Sequence, residues 1–140
     1  MNERTLPKEA DEEGIVLCTV GELRMYGLRL PNITDDMPDH LHVVFPWKNA
    51  INIATAILTS WELTPEQQST VLKDNDRQRI TDILHIDMYL DVLVPREDKL
   101  NWVLGKNKAF SDMRVVDYIL EHGTEKVVGY LALHADGGGW

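Results

Sequence analysis

Over most of the chain, apolar positions recur every three or four residues, the spacing of a helix face turned toward a core. Ala50, Ile53, Ala54, Ile57, Leu58 and Trp61 share one such stripe. Thr64-Pro65-Glu66-Gln67 then reads as a helix start. Thr64 accepts from an exposed N–H, Pro65 sits where its missing N–H costs nothing, and Gln67 completes a capping box. This helix is expected to end near Leu72–Lys73, with Lys73 to Asp76 a turn carrying the next N-cap. A longer helix with Ile80, Ile83, Leu84, Ile86, Leu90 and Leu93 is expected to kink near Ile86–Asp87 and stop before Pro95. Three short helices should follow. Glu97 to Leu104 stops at a left-handed Gly105, and Asp112 to Glu121 is capped by Ser111 and stops at His122-Gly123. Thr124 to Ala135 carries Val127, Val128, Leu131 and Ala135 on one stripe.

The first third of the chain has a different rhythm. Ile15 to Val20 is short, apolar and β-branched, as a strand is. Leu23, Tyr26, Leu28 and Leu30 are broken by glycines, and Pro31 to Asp39 is dense in turn residues. A second apolar run, Leu41 to Phe45, is placed to pair with the first as a small hairpin. The fold expected is mainly α: a small helical bundle with a short N-terminal extension able to form a β-hairpin. Its divisions are a charged arm at 1–13, an extension at 14–46 suited to short strands or a dimer contact, a helical region at 47–94, and a last helical region at 95–140.

Charge narrows the range of functions. The net charge of -9 and pI near 4.9 count against a protein whose main work is neutralising phosphates. The densest basic stretch, Lys99, Lys106, Lys108 and Arg114, is interleaved with acids. No apolar run approaches membrane-spanning length, and the charged start is unlike a secretory signal. The single cysteine, Cys18, excludes an internal disulfide and suits a reducing cytoplasm; its apolar neighbours favour a buried thiol over a nucleophile.

Catalytic patterns are missing. No Gly-rich phosphate loop, nucleophile elbow or zinc spacing occurs, so no enzyme activity, metal or cofactor is expected. His40 and His42 alternate as strand neighbours would but have no third ligand nearby. His122 before Gly123 suits a helix C-terminus. Asp35, Asp36 and Asp39 lack calcium-loop spacing. Thr64 to Leu72, a turn, and Asp76 onward outline a degenerate helix-turn-helix, in which Arg77, Gln78 and Arg79 are chemically able to read base edges. The flanking acids oppose DNA binding, and an ordinary helical turn explains the same pattern.

Gly137-Gly138-Gly139-Trp140 is the most unusual segment. Three glycines tolerate almost any backbone angle, and an indole beyond them is an apolar anchor on a pliable tether. Trp140 either folds back onto its own domain or enters another protein.

Several segments, taken in order, carry a family likeness. They are Trp61-Glu62-Leu63-Thr64, Arg79-Ile80 with Leu84-His85-Ile86 and Leu90, and Trp102-Val103-Leu104 with Asn107-Lys108-Ala109-Phe110. Met113 to Asp117, Val127 to Leu131, and Gly138-Gly139-Trp140 complete the set. This set resembles the MbcA/ParS/Xre-type antitoxins. Their pattern has a Trp-x-Leu-Ser/Thr helix junction, an Arg-Ile helix, a Trp-Leu-x-x-Pro-Asn-x-Ala-Leu/Phe region, and in many members a Gly-Gly-Trp finish. The likeness spans roughly Trp47 to Trp140.

It implies a non-enzymatic antitoxin whose partner is a RES-domain toxin, an enzyme that consumes NAD⁺ by phosphorolysis, hydrolysis or ADP-ribosyl transfer. It also implies that Trp102, Asn107, Phe110, Leu131, His134 and Asp136 belong to the toxin-binding region. Gly137, Gly138, Gly139 and Trp140 would plug the NAD⁺ cleft, in a homodimer held within a hetero-oligomer. Two departures stand out. Lys106 replaces the family's usual Pro, and so few residues separate Leu72 from Arg79 that the recognition helix is expected to be shortened or lost. Operator binding is correspondingly in doubt.

Overall fold

The computed structural model describes residues 14–138, mainly helical with two small antiparallel strand pairs. The chain divides into two compact units, 1–52 and 53–140, with the division falling inside a helix. No described helix is long and apolar enough to cross a membrane.

In the first unit, β1 (Gly14–Thr19) pairs antiparallel with β2 (His42–Pro46), from Gly14 opposite Pro46 to Thr19 opposite His42, with a bulge at Leu17 between the paired Val16 and Cys18. The expected pairing of the two apolar runs is therefore present. Its connection is no tight hairpin, because α1 (Val20–Tyr26) intervenes where the sequence suggested only a glycine-broken apolar stretch. The helix starts on a capping box: Glu22 N–H donates to Thr19 Oγ1 at 3.1 Å, and Thr19 N–H donates to Glu22 Oε1 at 2.8 Å. That Thr-x-x-Glu signal was readable in the sequence and was missed.

The loop after α1 is gathered onto one side chain. Arg24 Nη1 donates to Met37 O at 2.8 Å and to Asp39 Oδ1 at 2.5 Å, while Nη2 donates to Thr34 O and Asp35 O at 3.0 Å each. Backbone bonds from Val20 N to Leu41 O and Gly21 N to Asp39 O close the loop. Ile15, Cys18, Val20, Leu23, Val43 and Val44 are buried. Burial, and secondarily the Glu22 charge, push the Cys18 thiol up to about 12, so it acts as a small apolar side chain.

α2 (Trp47–Ser60) runs from the first unit into the second. In the second unit α3 (Pro65–Leu72) begins on the expected box, with Gln67 N–H donating to Thr64 Oγ1 at 3.2 Å and Thr64 N–H to Gln67 Oε1 at 2.9 Å. Lys73, Asp74 and Asn75 form the turn, all with positive φ, and Asp76 caps α4 (Arg77–Leu93) through Arg79 N–H at 3.1 Å. α4 is one continuous helix through Ile86–Asp87.

A 3₁₀ turn (Arg96–Asp98) leads to α5 (Lys99–Leu104). Gly105 after it is extended, with φ of -87°, and not left-handed as expected. A Cβ there would lie 2.9 Å from Asn101 O, so the requirement is for a close approach. β3 (Lys106–Asn107) pairs with β4 (Met113–Arg114). α6 (Val115–His122) then begins three residues later than expected: Ser111 and Asp112 have positive φ and belong to the turn, so Ser111 does not cap it. α7 (Glu125–Leu133) buries Val127 and Leu131.

Two polar contacts lock the helices of this unit. Asp82, 6% exposed, accepts from Thr124 Oγ1 at 2.7 Å and from Gln78 Nε2 at 2.8 Å, joining α4 to the start of α7. Arg79 Nη1 donates to Val71 O at 3.1 Å, at the end of α3, and the same guanidinium lies against Gly123. Gly123 has φ of 94° and ψ of -172°, a conformation nearly confined to glycine, and a Cβ there would sit 2.9 Å from Arg79 Nη2. On the far side of α4, Lys99 Nζ bridges Asp87 at 3.0 Å and Asp91 at 2.5 Å, strapping α5 to it.

Two outcomes follow. Gly123→Ala is expected to lower stability by about 1–3 kcal/mol in urea unfolding, through backbone strain and displacement of Arg79. Burial holds the Asp87 carboxyl above its ordinary value of 3.8, against the lowering pull of Lys99. A raised carboxylate contributes most below its unfolded-state pKa, and the contribution fades as pH rises through the folded one. The stability difference between the parent and Asp87→Asn should therefore shift toward the variant as pH climbs from about 4 to about 7, read by urea titrations at stepped pH.

Candidate functional site

Of the residues singled out near the end of the chain, Trp102 and Asn107 gather around the Phe110 ring. Gly105 O accepts from Val115 N–H at 3.2 Å, and Asn107 O accepts from Asp112 N–H at 3.1 Å, closing the segment between α5 and α6 into a tight knot. Within it, Asn107 Oδ1 accepts from Ala109 N–H at 2.9 Å and caps a 3₁₀ turn, Lys108–Phe110. That turn drives Phe110 fully inside. Its ring centroid lies 6.4 Å from Trp102 and 5.2 Å from Tyr130, both edge-to-face, and 5.3 Å from Tyr118.

The cluster extends outward along two helices at four-residue spacing. Tyr118 meets His122 at 4.6 Å, with Lys126 Nζ 5.8 Å from the Tyr118 ring, and Tyr130 meets His134 edge-on at 4.4 Å. Beyond Leu133, α7 widens into a π turn, His134–Gly138. Such widened turns often mark functional positions within helices. The aromatic cluster thus supports the helix turn from which the glycine segment departs.

The predicted binding residues fall into three groups. Trp102, Asn107 and His134 are half-buried around the cluster, and Asp136 is exposed on the π turn. Phe110 and Leu131 are core side chains with no exposed surface, so any part they take in recognition is through what they support. Gly137 and Gly138 lie in the π turn, whereas Gly139 and Trp140 lie outside the described residues. Sequence reading passed over Leu133, 64% exposed on the same helix, together with the open surface at Gly129, where an added Cβ would meet nothing within 4 Å. The helical period gave a usable signal: Leu133 is two residues from Leu131 and so faces away from the core. Tyr118 and Tyr130 were also passed over as cluster members.

On the rim, Arg114 forms a fork on Asp117 at 2.8 and 3.2 Å. The hydrogen bonds of that fork raise the Arg114 pKa, and the one from Arg114 lowers that of Asp117. The pair is exposed and contributes little to stability.

The residues considered for DNA are otherwise engaged. Gln78 and Arg79 make the contacts to Asp82 and Val71 O already described, and Arg77 is exposed at the start of α4. Only residues 73–76 separate α3 from α4. His40 and His42 are exposed, and among the described residues no group of three His, Cys, Asp or Glu side chains is placed to hold a metal. No protein-family model, curated protein or solved structure matches this chain.

Phe110→Ala is expected to cost about 3–5 kcal/mol in urea unfolding, because it empties the centre of the cluster. Trp102→Ala, at its half-exposed edge, should cost clearly less.

Proposed function

We propose that this chain is an antitoxin that binds a RES-domain, NAD⁺-consuming toxin and inhibits it by lodging Trp140 at the toxin's active-site cleft. The observation that carries this reading is the ordered set of motifs from Trp61 to Gly138-Gly139-Trp140. The geometry is compatible with it. The glycine segment follows an anchored helix: Tyr130 and His134 rest on the Phe110 cluster, and the π turn ends at Gly138.

Asp136, Gly137 and Gly138 belong to the π turn; were that turn to open, the five residues Asp136 to Trp140 would span about 17 Å. Burying an indole removes on the order of 200 Å² of surface, a gross gain of about 5 kcal/mol before the cost of ordering the tether. Glycines let the backbone pass close to cleft walls, and the indole occupies volume that NAD⁺ requires. Inhibition by occlusion needs no catalytic group on this chain.

The alternative reading as a DNA-binding regulator draws less support. Gln78 and Arg79 are committed to contacts within the protein, and the net charge is -9.

An NAD⁺-depletion assay with a RES-domain enzyme encoded beside this chain's gene tests the proposal. The full chain should inhibit. Deletion of residues 137–140, or Trp140→Ala, should weaken inhibition by at least about 30-fold while the melting temperature stays unchanged. Equal inhibition by the truncated and full chains would sink it.

A further inference from the structure

Among the aspartates of the chain only Asp136 precedes a glycine, and no asparagine does. That pairing has a chemistry of its own. A backbone nitrogen can close a five-membered ring on the side-chain carboxyl of the residue before it, and a side chain on the attacking residue hinders the approach. Glycine has none. Every other aspartate precedes a residue with a Cβ, and Asp82 and Asp87 are also held within α4. Asp136 is exposed and stands in the π turn, His134–Gly138, that follows α7. We infer that the Asp136–Gly137 bond is a modification site, where the aspartyl link isomerises to isoaspartyl and an S-adenosylmethionine-dependent isoaspartyl carboxyl methyltransferase acts on the product.

The isomerisation needs only water. The Gly137 amide nitrogen attacks Asp136 Cγ, so that an N–Cγ bond forms and a Cγ–O bond breaks. The carboxyl OH leaves with the amide proton as water, and a cyclic succinimide remains. Water then adds to one of its two carbonyls. Opening at Cγ restores aspartate, whereas opening at the main-chain carbonyl routes the backbone through Cβ and Cγ and leaves a free α-carboxylate. The methyltransferase moves a methyl group from S-adenosylmethionine to that carboxylate. Attack by the Gly137 nitrogen then expels methanol and closes the same succinimide, which recovers the normal bond in part. Ring closure requires an aspartate ψ well away from the helical value of about -42°. While the turn is coiled, packed against α4, it opposes the reaction. A π turn is a rare coil, and its glycines make it costly to keep closed, so the opened turn is the reactive form.

Isomerisation is independent of the proposed inhibition; its effect on inhibition rests on that reading, because a chain rerouted before Gly137 aims Trp140 elsewhere. The full chain, kept at neutral pH and sampled over weeks, is assayed by methyl transfer from labelled S-adenosylmethionine with a purified isoaspartyl methyltransferase, and the label is located on separated proteolytic peptides. Label should rise with time, at the 136–137 bond at least about fivefold above all other aspartates together. Asp136→Glu, whose ring would be six-membered, should lower it at least about tenfold. Concentrated urea, which opens the turn, should speed the reaction at this bond at least about threefold. No rise, label spread over other aspartates, or a signal unchanged in Asp136→Glu overturns the inference. A rate indifferent to urea overturns the restraint by the turn. In NAD⁺-depletion assays the isomerised fraction should inhibit at least about tenfold less well than fresh chain, and equal inhibition overturns the link to the tail. Fresh chain that fails to inhibit overturns the proposed function alone, since methyl transfer is read without the toxin.

Discussion

The closing section of the chain depends on taking one phenylalanine out of water. Phe110 sits in the ten residues between α5 and α6, which hold only a two-residue strand pair and one 3₁₀ turn, yet it has no exposed surface. A short irregular segment keeps its shape only when its polar backbone groups are matched and a large side chain holds it down. Here Asn107, Gly105 O and Asn107 O do the matching, and Phe110 anchors the segment. Three aromatic rings from three other helices close around it, so α5, α6 and α7 take their positions from the same side chain. The last helical turn, through Tyr130 and His134, inherits that position.

A polar network complements the aromatic one. A buried carboxylate is costly unless it is hydrogen-bonded, and Asp82 is bonded twice: to Gln78 on its own helix and to Thr124 at the start of α7. The N-terminal end of a helix is a favourable place for a negative charge, so Asp82 also complements α7 electrostatically. Arg79 meets the carbonyl end of α3 while occupying the space left by Gly123. Contacts of this kind are directional, and they fix how α3, α4 and the α6–α7 junction meet in a way that apolar packing alone does not.

Much of this was legible where a single local rule governs. The Thr64 capping box, the Asp76 cap and the stop before Pro95 depend on neighbours within four residues, and they appear as read. The pairing of the two apolar runs was legible from alternation and turn residues, although α1 between them was not, because its seven residues are too few to show a helical period. Errors gathered where long-range geometry decides. Ser111 looked like a cap, yet the β3–β4 pairing and the buried Phe110 require that residue in a left-handed turn. Gly105 looked like a left-handed stop, yet what it satisfies is the nearness of Asn101 O. In the candidate site, the sequence could not separate Phe110 and Leu131, which face inward, from Leu133, which faces out. Gln78 and Arg79 seemed free to read bases because their partners, Asp82, Thr124 and Val71, are joined to them only by the fold.

The bulged first strand has a practical consequence. Burial, helped by the Glu22 charge, holds the Cys18 thiol in its protonated form at neutral pH. Alkylating reagents and mild oxidants act on thiolates, and so pass this sulfur by. A cysteine engineered at an exposed described position would thus be the more reactive of the two thiols, ready for a spectroscopic label without first removing the native one.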